Sequence, residues 1–272
     1  MLKDITLGQY YREESVIHSL DPRVKIVGTL MFMLSLFIFN NFICYGICAV
    51  YLLTVILLSK VPVKFMFKGM RAVFVLLLIT VAYNLFLTPG DVIFKWWIIE
   101  ITREGIISAV CMMIRLTFLI LGSSIMTLTT TPGRLTDGIE KLLKPLRIFK
   151  VPVHEIAMMM SIALRFIPIL MEETDKIMKA QIARGADFGS KNLIKKTKSL
   201  VPLLVPLFVS AFRRAEELAL AMEARCYRGG DSRTKLKPLK YKGKDAAAYI
   251  IIVLELAAVI AVGLYINSLY IV

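Results

Sequence analysis

Long uncharged blocks lie toward both ends of the chain, with a charged, striped stretch between them. From Lys25 to Lys60 no charge interrupts 34 residues. At about 1.5 Å per residue this is roughly 51 Å of helix, far beyond the ~30 Å hydrocarbon core of a bilayer. It is therefore read as two short spans turning at Asn40 and Asn41. A third uncharged run, Ala72 to Gly90, closes on the turn residues Pro89, Gly90 and Asp91. A fourth goes from Gly105 to Gly133, interrupted only by Arg115, and a fifth from Ala246 to Val272, interrupted only by Glu255. The pattern predicts an all-α chain with about five short transmembrane helices.

Between the fourth and fifth runs the periodicity becomes that of amphipathic helices. Thr131 followed by Pro132 predicts the capped start of a short helix, which Pro145 closes near Lys144. A second helix is expected from near Pro152 to Arg184. Its first half, Ile156 to Met171, is apolar except for Ser161 and Arg165 and belongs at or in the bilayer. Pro168 should kink it, because the ring replaces a backbone donor. Gly185 and the run Ala186, Asp187, Phe188, Gly189 end it. A third helix contains the apolar stretch Leu200 to Phe212, with Pro202 and Pro206, too short to span and so interfacial or buried against other helices. Phe208, Phe212, Ala215, Ala219, Met222 and Cys226 recur at steps of three or four, a seam along which the second and third helices could pack, and Gly229 with Gly230 reads as the stop.

Both long helices close on one pattern 41 residues apart: Ile177, Ala180, Ala183, Arg184 and Leu218, Ala221, Ala224, Arg225. The spacing sets the apolar residue, the first alanine and the arginine along one stripe. Arginine near a helix end complements the macrodipole, by about 0.3–1 kcal/mol. A dipole, however, has no need of the alanines. Small residues let another backbone approach, and the arginine fork can then bind carboxylates or carbonyls of a partner.

Composition agrees with the hydropathy pattern. Hydrophobic residues make up 57% of 272 residues and mean hydropathy is +0.70, so much of the apolar surface must face lipid. The amino-terminal arm carries Lys3, Arg12, Arg23 and Lys25, the loop after the second span Lys60, Lys64, Lys68 and Arg71, and the stretch from Arg134 to Lys244 has 23 basic residues. The positive-inside rule makes these regions cytoplasmic. Asp91 to Glu104 holds only Lys95 and Arg103 against three acids, with Trp96 and Trp97 as interfacial anchors, and is read as outside. The amino terminus is then cytoplasmic and the carboxyl terminus extracellular. The domain boundaries expected are a membrane domain over 1–128, a cytoplasmic helical domain over 129–245 and a last transmembrane helix over 246–272. The charged amino-terminal residues Asp4, Glu13, Glu14 and Asp21 argue against a cleavable signal peptide. The basic residues are mixed with acids and lack an aromatic stacking array, which disfavours nucleic acid and favours anionic headgroups or acidic partner grooves. Cys44, Cys48, Cys111 and Cys226 fit no metal spacing or disulfide framework.

Arg115 and Glu255 stand at similar depths in their spans, so a buried structural ion pair between them is one expectation; the alternative is that each snorkels or finds backbone oxygens. His18 lacks a catalytic partner and is read as a capping or interfacial residue. The 14 methionines, including Met158, Met159 and Met160, are mostly packing residues that could also re-pack against several partners. A membrane transferase would need paired carboxylates for magnesium, and a self-sufficient secondary transporter would need repeated halves with broken midplane helices; the sequence offers neither.

Four segments together carry a family resemblance: His18-Ser19-Leu20-Asp21-Pro22-Arg23-Val24-Lys25, Ala163-Leu164-Arg165-Phe166-Ile167-Pro168, Gln181-Ile182-Ala183-Arg184-Gly185-Ala186 and Glu223-Ala224-Arg225-Cys226. Over essentially its whole length the chain resembles the transmembrane T component of energy-coupling factor (ECF) transporters, the vitamin and metal uptake machines of prokaryotes. The resemblance implies a non-catalytic scaffold in the cell membrane. Two long coupling helices would end in X-Arg-X motifs, here Ala183-Arg184-Gly185 and Ala224-Arg225-Cys226, the second with cysteine where glycine is commoner. These motifs would dock into two cytoplasmic ABC ATPase subunits, while the membrane face holds a substrate-binding S component. No cofactor is implied for this chain, since ATP belongs to the ATPases, and the sequence has no G-x-x-x-x-G-K-[ST] phosphate loop. Within the family the alternative is a dedicated cobalt, nickel or biotin system.

Overall fold

The computed structural model describes residues 10–96, 99–186, 193–229 and 238–271. Helix α1 (Val16–Ser19) is a single turn, followed by α2 (Pro22–Ile38), α3 (Phe42–Ser59) and α4 (Val63–Leu87). Strands β1 (Val92–Trp96) and β2 (Ile99–Thr102) precede α5 (Arg103–Thr129) and α6 (Pro132–Leu143). A 3-10 segment over Lys144–Phe149 leads to α7 (Val153–Ala183), then α8 (Leu193–Ala224) and α9 (Gly243–Ile271). Each of the five apolar runs is a helix, and the chain is an all-α membrane protein. Among the described residues four helices, α3, α5, α7 and the Gly243–Ser268 part of α9, are long and apolar enough to cross a membrane, with Val73–Leu87 as a shorter apolar stretch. Two differences from the sequence reading stand out: α2 has only 17 residues, and α7 joins the helices of spanning length.

The one departure from helix among the described residues is the antiparallel pair β1–β2, with Val92 opposite Thr102 and Trp96 opposite Ile99. The β-branched and aromatic runs on either side of two linking residues carried that signal. Trp97 lies outside the described residues, as do 187–189 and Gly230.

The chain divides into two compact units. One comprises Gly8–Lys141 with Leu239–Val272, and the other includes Leu142–Pro238. Helix α6 up to Lys141 belongs to the first unit and packs on α2: a side chain at Gly138 would meet Pro22 and Ile26 at 3.1 Å. In the membrane unit α2, α3, α5 and α9 surround a core of Phe32, Leu36, Tyr45, Leu52, Ile125 and Val259, while α4 packs mainly on α5. Large apolar side chains such as Leu57, Val50 and Leu264 face outward, the inversion expected of a bundle solvated by lipid. Close approach uses glycine at Gly105, where a Cβ would lie 3.1 Å from the Asn84 and Leu85 carbonyl oxygens of α4.

In the other unit α7 runs unbroken through Pro168, and α8 through Pro202 and Pro206. The two helices pack on each other, but not along the predicted seam. Phe208 and Phe212 are 61% and 72% exposed, and Ala215 and Ala219 are exposed too; the sheltered side of α8 carries Leu203, Leu207, Arg214, Leu218 and, alone of the described helical seam residues, Met222. Helix α8 has two apolar faces, and packing on α7 uses the other one. One further contact joins the pair. Pro206 has no N–H to offer the Pro202 carbonyl four residues earlier, and Gln181 Nε2 of α7 donates to that carbonyl at 3.4 Å.

Candidate partner-docking site

The ends of α7 and α8 are built alike. Arg184 is the C-cap of α7, and its N–H donates to Ala180 O at 3.2 Å and Gln181 O at 3.1 Å. Gly185 N donates to Ile182 O at 2.9 Å and Ala186 N to Gln181 O at 3.0 Å. At α8, Arg225 N donates to Ala221 O at 3.3 Å and Met222 O at 3.2 Å, Cys226 N to Glu223 O at 2.8 Å, and Tyr227 N to Met222 O at 3.0 Å. Both are Schellman motifs, in which the two residues past the cap fold back onto the last orphan carbonyls. Each X-Arg-X triplet therefore occupies the same three places: last helical residue, cap, and the left-handed residue that turns the chain away.

The left-handed position explains the glycine of the first triplet. Gly185 has φ 88° and Cys226 φ 55°, a region that costs a residue with a Cβ roughly 1–2 kcal/mol. The expectation that Gly229 and Gly230 stop the helix is corrected here: α8 ends at Ala224, and Cys226 makes the turn. All six residues Ala183, Arg184, Gly185, Ala224, Arg225 and Cys226 are exposed. Two arginines thus stand exposed at capped helix ends, each beside exposed alanines.

Arg115 and Glu255 are not brought together. Arg115 Nε donates to Leu36 O at 3.1 Å and Nη2 to the Tyr45 hydroxyl at 2.8 Å, with Asn40 Oδ1 as a further acceptor. Leu36 O is one of the orphan carbonyls that α2 leaves at its carboxyl end, so the arginine finds its negative pole in the α2–α3 hairpin and needs no carboxylate. Glu255 Oε1 instead accepts from the Ser35 hydroxyl at 3.0 Å and the Cys48 thiol at 3.5 Å. The two groups clamp α2 and α3 to α5 and to α9 respectively.

The segment His18 to Lys25 forms a buried joint. His18 Nε2 donates to Tyr11 O at 3.0 Å, and the Ser15 hydroxyl lies 2.7 Å from Nδ1. Burial, with the charge of Lys25 adding to it, outweighs the Tyr11 bond and pushes the His18 pKa below its usual value. Asp21 caps α2 by accepting from Arg23 N at 2.9 Å. Arg23 also forks onto both Asp21 oxygens, at 3.0 and 2.9 Å, and covers the Tyr241 ring at 3.7 Å. Burial alone would raise the Asp21 carboxyl, but the Arg23 bonds outweigh it and hold it below the usual carboxylate range. Lys25 Nζ donates to Thr129 O, the end of α5, at 2.8 Å. Sequence reasoning missed Asp245, which is 2% exposed. It accepts from Asp21 N at 2.8 Å and from Lys242 N at 2.7 Å; an aspartate just inside the start of an apolar run was the available signal.

Comparison with known proteins places this architecture. The family model described as cobalt transport protein (CbiQ) matches residues 13–236. The energy-coupling factor transporter transmembrane protein EcfT of Clostridium kluyveri is 59% identical over 250 residues, covering 91% of this chain and 93% of its own length. The proteins of the same name from Thermosediminibacter oceani and Bacillus subtilis are 54% identical over 249 residues, with 92% and 94% covered, and 45% identical over 261 residues, with 96% and 98% covered. With its duplicated, arginine-capped helix ends and its apolar bundle, the chain belongs to the family of transmembrane components of energy-coupling factor transporters.

Proposed function

We propose that this chain is the non-catalytic scaffold of an ECF-type ABC importer for a vitamin or another micronutrient. Arg184 and Arg225 plug into two cytoplasmic ATPase subunits, and the membrane face holds a substrate-binding S component. The observation that carries this reading is the duplicated tip: two helices with the same cap, the same alanines and the same exposed cation suit two equivalent sockets. ATP-driven closure of the ATPase pair would move the sockets together, and capped helices would carry that motion toward the membrane. The basic 134–244 stretch and the amino terminus lie on the cytoplasmic side in this reading, and the carboxyl terminus lies outside.

Co-purification of the tagged chain with its ATPase subunits tests the proposal, comparing wild type with Arg184→Ala, Arg225→Ala and the double variant. Loss of ATPase binding or of vitamin-stimulated ATP hydrolysis, with the protein still inserted, supports it; unchanged binding and coupling in the double variant overturns it. The family description favours a second reading, a system dedicated to cobalt. Stimulation by cobalt and by no vitamin would select that one.

A further inference from the structure

The 3-10 segment between α6 and α7 exposes its apolar side chains more fully than any other part of the described chain. Every residue from 143 to 150 is exposed, with Ile148 at 83% and Phe149 at 79%. Its shape is fixed: Lys150 has φ 60°, and its N–H donates to Arg147 O at 2.9 Å. In a 3-10 turn residues three apart eclipse one another. Lys144 and Arg147 therefore share one edge, Leu146 and Phe149 a second, and Pro145 and Ile148 the third. No acidic residue lies between Glu140 and Glu155, where Lys141, Lys144, Arg147 and Lys150 are found. Three residues further on, Val153 begins α7, which is apolar and long enough to enter a bilayer.

We propose that Lys144–Lys150 is a membrane-surface anchor. Leu146, Ile148 and Phe149 enter the boundary between headgroups and acyl chains of an anionic leaflet, and Lys144, Arg147 and Lys150 sit on its phosphates. A basic edge beside two apolar edges has the composition of an interfacial element, and the adjoining α7 brings it to the lipid boundary. Lys144 and Lys150 beside the exposed Ile148 and Phe149 call for a surface that is anionic and apolar at once, which an anionic leaflet supplies. The anchor is independent of the docking of Arg184 and Arg225, and its test needs no ATPase.

The only tryptophans of the chain are Trp96 and Trp97, so Phe149→Trp in a Trp96→Phe, Trp97→Phe background reports on one position, with Ile148→Trp as a second probe should the first disturb folding. The full chain is placed in nanodiscs of phosphatidylcholine with or without phosphatidylglycerol, each with acyl chains brominated near the headgroup. In anionic discs the probe should emit to the blue, be quenched by bromine and be several-fold less accessible to acrylamide than free tryptophan. Lys144→Gln, Arg147→Gln and Lys150→Gln together should reverse much of this. Water-like emission without bromine quenching at both positions overturns the anchor, and equal immersion in zwitterionic discs overturns the part assigned to the cations.

Discussion

In the membrane unit the arginine at depth is met on every side: Arg115 has the Leu36 carbonyl, Asn40 and Tyr45 around it, and the rings of Phe37 and Tyr45 at 5.1 and 6.0 Å. At the ends of α7 and α8 the arginines instead stand exposed, and the fixed part is their backbone. The same residue type is thus an internal clamp in one unit and an offered group in the other. The difference teaches where function can be sought. A cation whose partners lie within its own unit answers to stability, whereas one held out at a cap is, under the proposed function, offered to a partner.

Substitution should separate the two kinds. Arg115→Ala leaves the Leu36 carbonyl and two side chains without their donor, and a loss of about 2–4 kcal/mol is expected in thermal unfolding of the detergent-solubilised protein. Adding Glu255→Ala should deepen that loss; a double variant as stable as wild type would restore the ion pair that the geometry denies. At the tips the effects shrink to the backbone. Gly185→Ala should cost about 1 kcal/mol and Cys226→Gly should gain up to about 1 kcal/mol, because both act at a left-handed position; equal effects of one sign would break the equivalence of the two caps.

A pH series probes the joint. His18 is held neutral with a lowered pKa, so the unfolded chain binds its proton first as pH falls. Stability should be fully present above the ordinary histidine value of about 6.5 and decline below it. That slope should vanish in His18→Gln, and its persistence would assign it to another group. Smallest of all, Arg184→Ala with Arg225→Ala should change the unfolding free energy, read from thermal melts, by no more than the ~0.5 kcal/mol typical of surface changes. A large drop would turn the tips from offered groups into structural ones.

Much of this was legible in the sequence because the bilayer restricts the alternatives. The hairpin at Asn40–Asn41, the start of α6 at Pro132 and the end of α7 at Gly185 followed from charge gaps and cap residues, and the two arginine tips from their repetition. What failed was orientation about an axis. Arg115 and Glu255 match in depth, but depth says nothing about which way a helix turns its side chain. The seam through Phe208 and Phe212 has the right period, yet on α8 a period cannot choose between two apolar faces. Cys226 was passed over for Gly229 because glycine is the favoured left-handed residue. The preference amounts to roughly 1–2 kcal/mol, which the hydrogen bonds of a closed cap offset. The β1–β2 hairpin was hidden by reading Trp96 only as an anchor.

The bond from Asp21 N to Asp245 joins positions 224 residues apart, and it bears on how the protein is made. Synthesis runs from the amino terminus, so the whole of Leu142–Pro238 leaves the ribosome before α9 exists to close the bundle. Until then the buried end of α2 lacks the carboxylate that completes it, and the face of α2 and α3 meant for α9 is open to lipid. A nascent chain halted before Asp245 would carry both arginine tips on an unfinished membrane half.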